Sequence, residues 1–225
     1  MFLRHQIERM FNFPSQTFFN RRVAKEKLAT QLHFTASVRK AFTEQVKSVY
    51  WAYKLAESTL NISKGNLVTE IEVFHLLLNQ ADLDECVLLQ WDKELPYHIL
   101  FILEYDKKVR ASMAFKLKDG SNKAYYSIKR YFYTPWMPKE ELNFTIAGIT
   151  LDNVYENLVQ AVAGKTLPLE EGKKMAERVE KTILQQEIQA KIDKLEAQIR
   201  KQKQFNHVME LSSEVQKLKQ ILENI

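Results

Sequence analysis

From Leu169 to Ile225 the chain contains no proline, and its only glycine, Gly172, lies at the start of the run. Within it, Ile188, Ile192, Leu195 and Ile199 alternate spacings of four and three, the signature of an apolar helical seam that packs against another helix. The same spacing returns at Val208, Leu211, Val215, Leu218, Leu222 and Ile225. It is offset by two residues across the polar segment Lys201-Gln202-Lys203-Gln204, so one uninterrupted heptad seam is excluded. The alternatives are a bent long helix or an antiparallel helical hairpin with coiled-coil-like packing. Ile188, Ile192, Leu195, Ile199, Leu211, Val215, Leu218 and Leu222 are the partner-binding candidates, whether the helices pack in cis or in trans.

A length of 225 residues with 45% hydrophobic side chains holds one ordinary domain plus an accessory element. Five glycines and five prolines argue for long regular elements. The single cysteine, Cys86, excludes an internal disulfide and a cysteine-cluster zinc site and suits a reducing compartment. No segment approaches the roughly 20 apolar residues of a membrane span, and Met1-Phe2-Leu3-Arg4-His5 lacks signal-peptide character. A cytoplasmic location without membrane contact is the expectation.

The net charge of +5 hides a block pattern: +7 over residues 1–54, −7 over 55–105, +7 over 106–139 and −2 over 140–225. Two basic blocks around an acidic one either face phosphates or neutralise each other across the fold.

Along the chain, Phe11 to Leu32 predicts an irregular arm and a short helix. Thr35 to about Leu55 predicts one helix, with Val38, Phe42, Val46, Val49 and Tyr53 on a stripe and Thr35 or Ser37 as cap. Beyond the turn at Ser63-Lys64-Gly65-Asn66, Ile71, Val73 and His75 alternate with Glu70, Glu72 and Phe74, a strand with one carboxylate-bearing face. A helix from Asp82 to Glu94 follows, then a doubly covered central strand at His98–Tyr105. A hairpin through Asp106-Lys107-Lys108 leads to a strand at Arg110–Lys118. A turn at Asp119-Gly120-Ser121-Asn122 leads to another at Lys123–Tyr133, and Ile149 to Val162 is an amphipathic helix stopped by Gly164. The fold class is α+β: an N-terminal helical segment, a small mostly antiparallel sheet with packed helices, and the C-terminal helices. The expected organisation is a basic arm and helix at 1–62, a core at 63–165 and the helical region at 166–225.

Glu70, Glu72, Glu104 and Asp106 lie two apart in pairs on neighbouring strands, and Lys116 lies on the next. Together they are the residue types of a Mg²⁺-dependent nuclease. No Glu-x-Lys or Asp-x-Lys occurs on a predicted strand, so solvent-facing carboxylates are the commoner explanation, and only the nuclease reading implies a cofactor. The strand to Tyr133 places Tyr125, Ser127, Lys129, Tyr131 and Tyr133 on one face, where aromatics and a cation suit stacked bases and phosphates, although packing on a helix or half exposure is the commoner reading of a tyrosine-rich strand. Arg21, Arg22, Lys25, Lys129, Arg130 and Tyr131 are the nucleic-acid candidates. The five histidines are scattered and none pairs with another at metal-ligand spacing on one helix, and no phosphate loop or nucleophile elbow is present.

With those residues read, the chain resembles a bacterial family of uncharacterised domains. The likeness is carried by Phe11-Asn12-Phe13-Pro14, Trp51-Ala52-Tyr53-Lys54-Leu55, Ile71-Glu72-Val73-Phe74, Pro96-Tyr97-His98-Ile99-Leu100-Phe101, Tyr131-Phe132-Tyr133-Thr134-Pro135-Trp136, Asp152-Asn153-Val154-Tyr155-Glu156-Asn157-Leu158 and Lys203-Gln204-Phe205-Asn206. Genes of that family stand beside helicases and DNA methyltransferases in restriction-like and phage-defence clusters. The resemblance implies a setting and transfers no catalytic residue. The expected function is a non-catalytic adaptor subunit that binds a larger helicase- or methyltransferase-type protein, or itself, with DNA as a further contact. A small metal-dependent nuclease or effector and a stand-alone nucleic-acid-binding module are the alternatives.

Overall fold

The computed structural model describes residues 10–118 and 126–225. They divide into two compact units, Met1–Gly164 and Lys165–Ile225. The turn expected at Asp119-Gly120-Ser121-Asn122, together with His5, Lys123 and Tyr125, lies outside the described residues.

The first unit is built on a mixed sheet of β1 (Phe18–Val23), β2 (Val46–Ala56), β3 (Glu70–Leu78), β4 (His98–Tyr105), β5 (Lys108–Lys118) and β6 (Tyr126–Tyr133), lying in that order, with the short β7 (Met137–Pro138) beside β5. Its helices are α1 (Lys25–Gln31), α2 (Ala36–Gln45), α3 (Glu57–Leu60), α4 (Glu85–Glu94) and α5 (Leu151–Ala163). All neighbouring strands are antiparallel except β3 and β4, which α4 joins in a parallel crossover. The expected α+β class and the β4–β5–β6 meander are therefore present. Asp106 and Lys107 both take positive φ (45° and 63°), the two-residue geometry whose twist matches a hairpin.

Two expectations fail in the N-terminal third. Residues 1–62, expected as an arm and helix apart from the core, contribute β1 and β2 to the same sheet. The single helix expected from Thr35 to Leu55 stops at Gln45, after a start capped by the Thr35 hydroxyl, and continues as β2. The reason lies in two bulges. Register slips between Val46 and Ser48 and again between Trp51 and Tyr53, so Val46, Val49, Trp51, Lys54 and Ala56 share one face at spacings of three and two. Those stretched intervals imitate a helical stripe, while the β-branched and aromatic run Val49-Tyr50-Trp51-Ala52-Tyr53 favours strand.

Both sheet faces are covered. On one, Phe74, Leu76, Ile99, Phe101 and Leu103 pack beneath Leu28, Phe42 and Trp91 of α1, α2 and α4. On the other, α5 lies across β5, β6 and β3, and Phe13 stacks on Phe144 at 5.5 Å and meets Tyr53 at 4.9 Å. His98 to Leu103 is buried throughout, as a doubly covered strand requires.

Asp152, in the first turn of α5, accepts from the backbone N–H groups of Asn66 (2.8 Å), Leu67 (3.1 Å) and Val68 (2.7 Å), fixing the loop that feeds β3. A Cβ at position 65 would lie 2.0 Å from that carboxylate, so Gly65 is dictated by close approach.

The second unit holds α6 (Met175–Ile199) and α7 (Phe205–Glu223). The Lys219–Glu196 ion pair, at 2.8 Å, sets them as a staggered hairpin. Ile188, Ile192 and Val215 form its buried centre, with Leu195, Ile199, Leu218, Leu222 and Ile225 packed around them. Seven of the eight residues expected to bind a partner therefore join α6 to α7 within the chain, because the offset seam lets the helix fold back on itself. Leu211, the eighth, stands outside that cluster.

Candidate nucleic-acid interface

β1 is an edge strand. A bulge over Phe19 and Asn20, with Asn20 at φ 44°, turns the strand so that Arg21 and Arg22 both stand exposed. Arg22, Lys25, Glu26 and Lys47 line a cleft of about 460 Å³ between β1, the start of α1 and β2. A smaller cavity of about 240 Å³ beside it is lined by Lys25, Arg39 and Phe42.

Not all of these cations face a ligand. Lys25 Nζ donates to the carbonyls of Thr43, at 3.1 Å, and Val46, where α2 ends, and burial lowers its pKa. An ammonium at a helix C-terminus stabilises the orphan carbonyls there, so Lys25 is an anchor and not a phosphate contact. Arg39 likewise donates to Ala29 O at 3.2 Å. The exposed cations that line the cleft are Arg22 and Lys47, and Arg21 stands exposed on the other face of the same edge strand. Arg21 lies over the Phe19 ring at 4.4 Å, and Phe19 packs on Trp51 at 4.2 Å, so a half-buried aromatic platform adjoins the charges. Lys47 escaped notice because it was placed on the expected helix.

The second cluster stands elsewhere. Lys129 is exposed where β6 bulges between Ile128 and Arg130, and Arg130 leans over Phe132 at 5.4 Å. The bulge breaks the alternation expected from Ser127 to Tyr133 and turns Ile128, Tyr131 and Tyr133 onto the helix-covered face. Tyr131 is 6% exposed, and its hydroxyl donates to Asp92, so it cannot stack a base. Because β1 and β6 are opposite edges, five strand spacings, or about 24 Å, separate the two basic groups.

The carboxylates expected to converge do not. Glu72 stands opposite Ile99 and Glu104 opposite Leu77, five residues further along the strands, which separates the two by about 17 Å. Each finds its own partners. Glu104 lies 2.7 Å from both His75 Nε2 and Lys139 Nζ; burial alone would raise it, but these groups outweigh burial and bring its pKa to about 2. Asp106 is exposed in the hairpin turn. Lys116 is buried on Asp92 of α4, at 2.7 Å.

Glu70 and Glu72 do meet each other, and neither is a solvent-facing carboxylate, because the face they share with Phe74 lies under α4. Glu72 is 3% exposed and accepts from the Trp51 indole N–H, while Glu70 pairs with Lys54 at 2.7 Å. Burial, then the hydrogen bond and charge of Glu70, push Glu72 up to about 9 against the pull of Trp51 and Lys54. For Glu70, burial is outweighed by the hydrogen bonds to Glu72 and Lys54, and its pKa falls. The pair shares one proton at neutral pH. Among the described residues, no group of three or more His, Cys, Asp or Glu side chains is placed to hold a metal ion.

The arrangement is that of a two-unit α+β protein with exposed cations on a sheet edge. The chain belongs to the family described as Domain of unknown function (DUF4391), which matches residues 11–222. Neither the curated proteins nor the solved structures yield a match.

Proposed function

We propose that this chain is a non-catalytic subunit of a bacterial DNA-processing or anti-phage defence complex, and that it contacts the nucleic-acid backbone through its β1 edge. The observation that carries the reading is the β1 edge, where Arg22 and Lys47 stand exposed in the cleft and Arg21 stands exposed over the Phe19–Trp51 platform. Exposed cations on a sheet edge suit phosphates, and phosphate contacts carry no sequence information, so the binding expected is sequence-tolerant. A binding role also fits the separation of the carboxylates a nuclease would need together. The genomic setting implied by the resemblance supports the choice of a DNA-processing assembly.

Three phosphate contacts predict a slope of about −2.7 in log affinity against log salt on duplex DNA, so affinity should fall about 40-fold between roughly 50 and 200 mM salt. Fluorescence anisotropy with a labelled duplex measures it. Arg21→Glu combined with Arg22→Glu should abolish most of the salt-dependent binding. A slope near −4.5 would place Lys129 and Arg130 on the same ligand, and salt-independent binding would overturn the reading.

A further inference from the structure

The aromatic platform at β1 is the upper part of a longer column. Phe74, 6% exposed, stacks on Trp51 with ring centroids 6.2 Å apart and planes inclined by 28°, and Trp51 packs on Phe19 at 4.2 Å. The Trp51 indole N–H donates to the buried Glu72 carboxyl, which fixes the orientation of that ring. Arg21 stands opposite Trp51 in the pairing of β1 with β2 and sets its guanidinium over Phe19, 4.4 Å from the ring centre. Exposure rises along the column, from buried Phe74 through half-buried Trp51 and Phe19 to exposed Arg21. It ends at the surface in a flat cation.

A guanidinium laid on a ring has one face committed and one open. Among the described residues no carboxylate pairs with Arg21, no second ring lies on it, and no further strand flanks β1 on its outer side. Guanidinium planes stack nucleobases, and the ring beneath Arg21 holds its plane before a ligand arrives, which lowers the ordering cost of binding. A base must be free of its neighbours to take that place. In a duplex both faces of each base are occupied, and opening a step is costly, whereas an unpaired strand offers its bases without that cost. Arg22 and Lys47, in the cleft on the other side of the same strand, are left to phosphates.

We propose that Arg21 is a base-stacking residue and that the β1 edge selects single-stranded over duplex DNA, with Arg22 and Lys47 on the phosphates beside the stacked base. The inference rests on the reading of that edge as a nucleic-acid contact, and it names the form of the ligand.

The test is fluorescence anisotropy of the full chain with a labelled single strand, the same strand made abasic, and the duplex. With Arg21 on a base, two phosphate contacts remain, so the single-strand slope of log affinity against log salt should be about −1.4, half the duplex value. At roughly 200 mM salt the single strand should bind about tenfold tighter than both the duplex and the abasic strand, which keeps every phosphate and lacks the stacking surface. Arg21→Lys keeps the charge and loses the plane, so it should weaken single-strand binding about tenfold and leave duplex binding within about twofold. Phe19→Leu, which removes the ring that holds the guanidinium, should act in the same direction, and its retained duplex binding reports an intact edge. Single-strand affinity no higher than that for the duplex or the abasic strand overturns the inference, as does an equal loss on both forms in Arg21→Lys. In either case salt-dependent duplex binding leaves the proposed nucleic-acid contact standing. A chain that binds neither form overturns both.

Discussion

Replacing Lys116 with methionine is expected to destabilise the N-terminal unit by about 3–5 kcal/mol, the cost of stranding a buried charge. Lys116 Nζ sits 2.7 Å from Asp92 Oδ1 and donates to Tyr97 O at 2.8 Å, and the two charged side chains are 1% and 0% exposed. Burial pushes the Asp92 carboxyl up, and Lys116 and the Tyr131 hydroxyl hold it against that rise. Without the ammonium, a fully buried carboxylate faces Trp91 and its neighbours with one hydroxyl for company, and it must take up a proton or draw water inward. Urea unfolding followed by tryptophan fluorescence measures the loss. The companion variant, Asp92→Leu with Lys116→Met and Tyr131→Phe, removes every member of the network and should recover most of it, since apolar packing replaces buried ion pairs at little cost. A loss in Lys116→Met below about 1 kcal/mol, the range of exposed pairs, would show that this ion pair does not hold the sheet to α4.

The second large effect concerns pH. Unfolded, Glu72 releases its proton at the usual carboxylate value of 4.5, and folded it does so at about 9. Between those values the folded protein holds a proton that the unfolded chain has lost, so stability falls as pH rises. One proton corresponds to about 1.4 kcal/mol per pH unit, or about 3 kcal/mol between roughly pH 6 and 8. Glu70 has its pKa lowered, so its contribution is present in full across this window and is lost only as the pH falls below the ordinary carboxylate range. Glu72→Gln keeps the shape, accepts from Trp51 and donates to Glu70, but has nothing to titrate. Its stability should stay nearly flat across the same interval and exceed that of the wild type most at the alkaline end. Chemical unfolding at several pH values decides it: parallel curves for the two proteins would mean that another group carries the dependence.

Much of the architecture was legible. Strands with clean alternation or continuous burial, His98–Tyr105 above all, lie where their patterns placed them, as do the helix capped at Thr150 and the helices after Leu169. Misreadings gather at the bulges. In β2 two inserted residues turned a period of two into intervals of three, and in β6 one inserted residue at Lys129 separated Tyr131, which lies in the core, from the exposed Lys129 expected beside it. A bulge changes the phase of a strand without leaving a compositional mark, since any residue can occupy it.

The candidate site was legible in part. Arg21 and Arg22 were visible as a basic pair, but the edge position that exposes them depends on β2, which the sequence disguised as a helix. Lys25 looked equivalent to them and is not, because the carbonyls it binds come from Thr43 and Val46, 18 and 21 residues away. Glu72 and Asp92 carried no signal of burial, since nothing local says that α4, which bears Asp92, will pack on the sheet that bears Glu72.

Periodicity and composition therefore determined the element types from Glu70 onward, the α+β class and the offset that makes the C-terminal helices fold back, because each depends on neighbours within a few residues. Which cations remain open and which carboxyls share a proton were decided only by tertiary packing. Burial and ion pairing are properties of groups brought together from distant parts of the chain, and their energies turn on distances that local patterns do not encode.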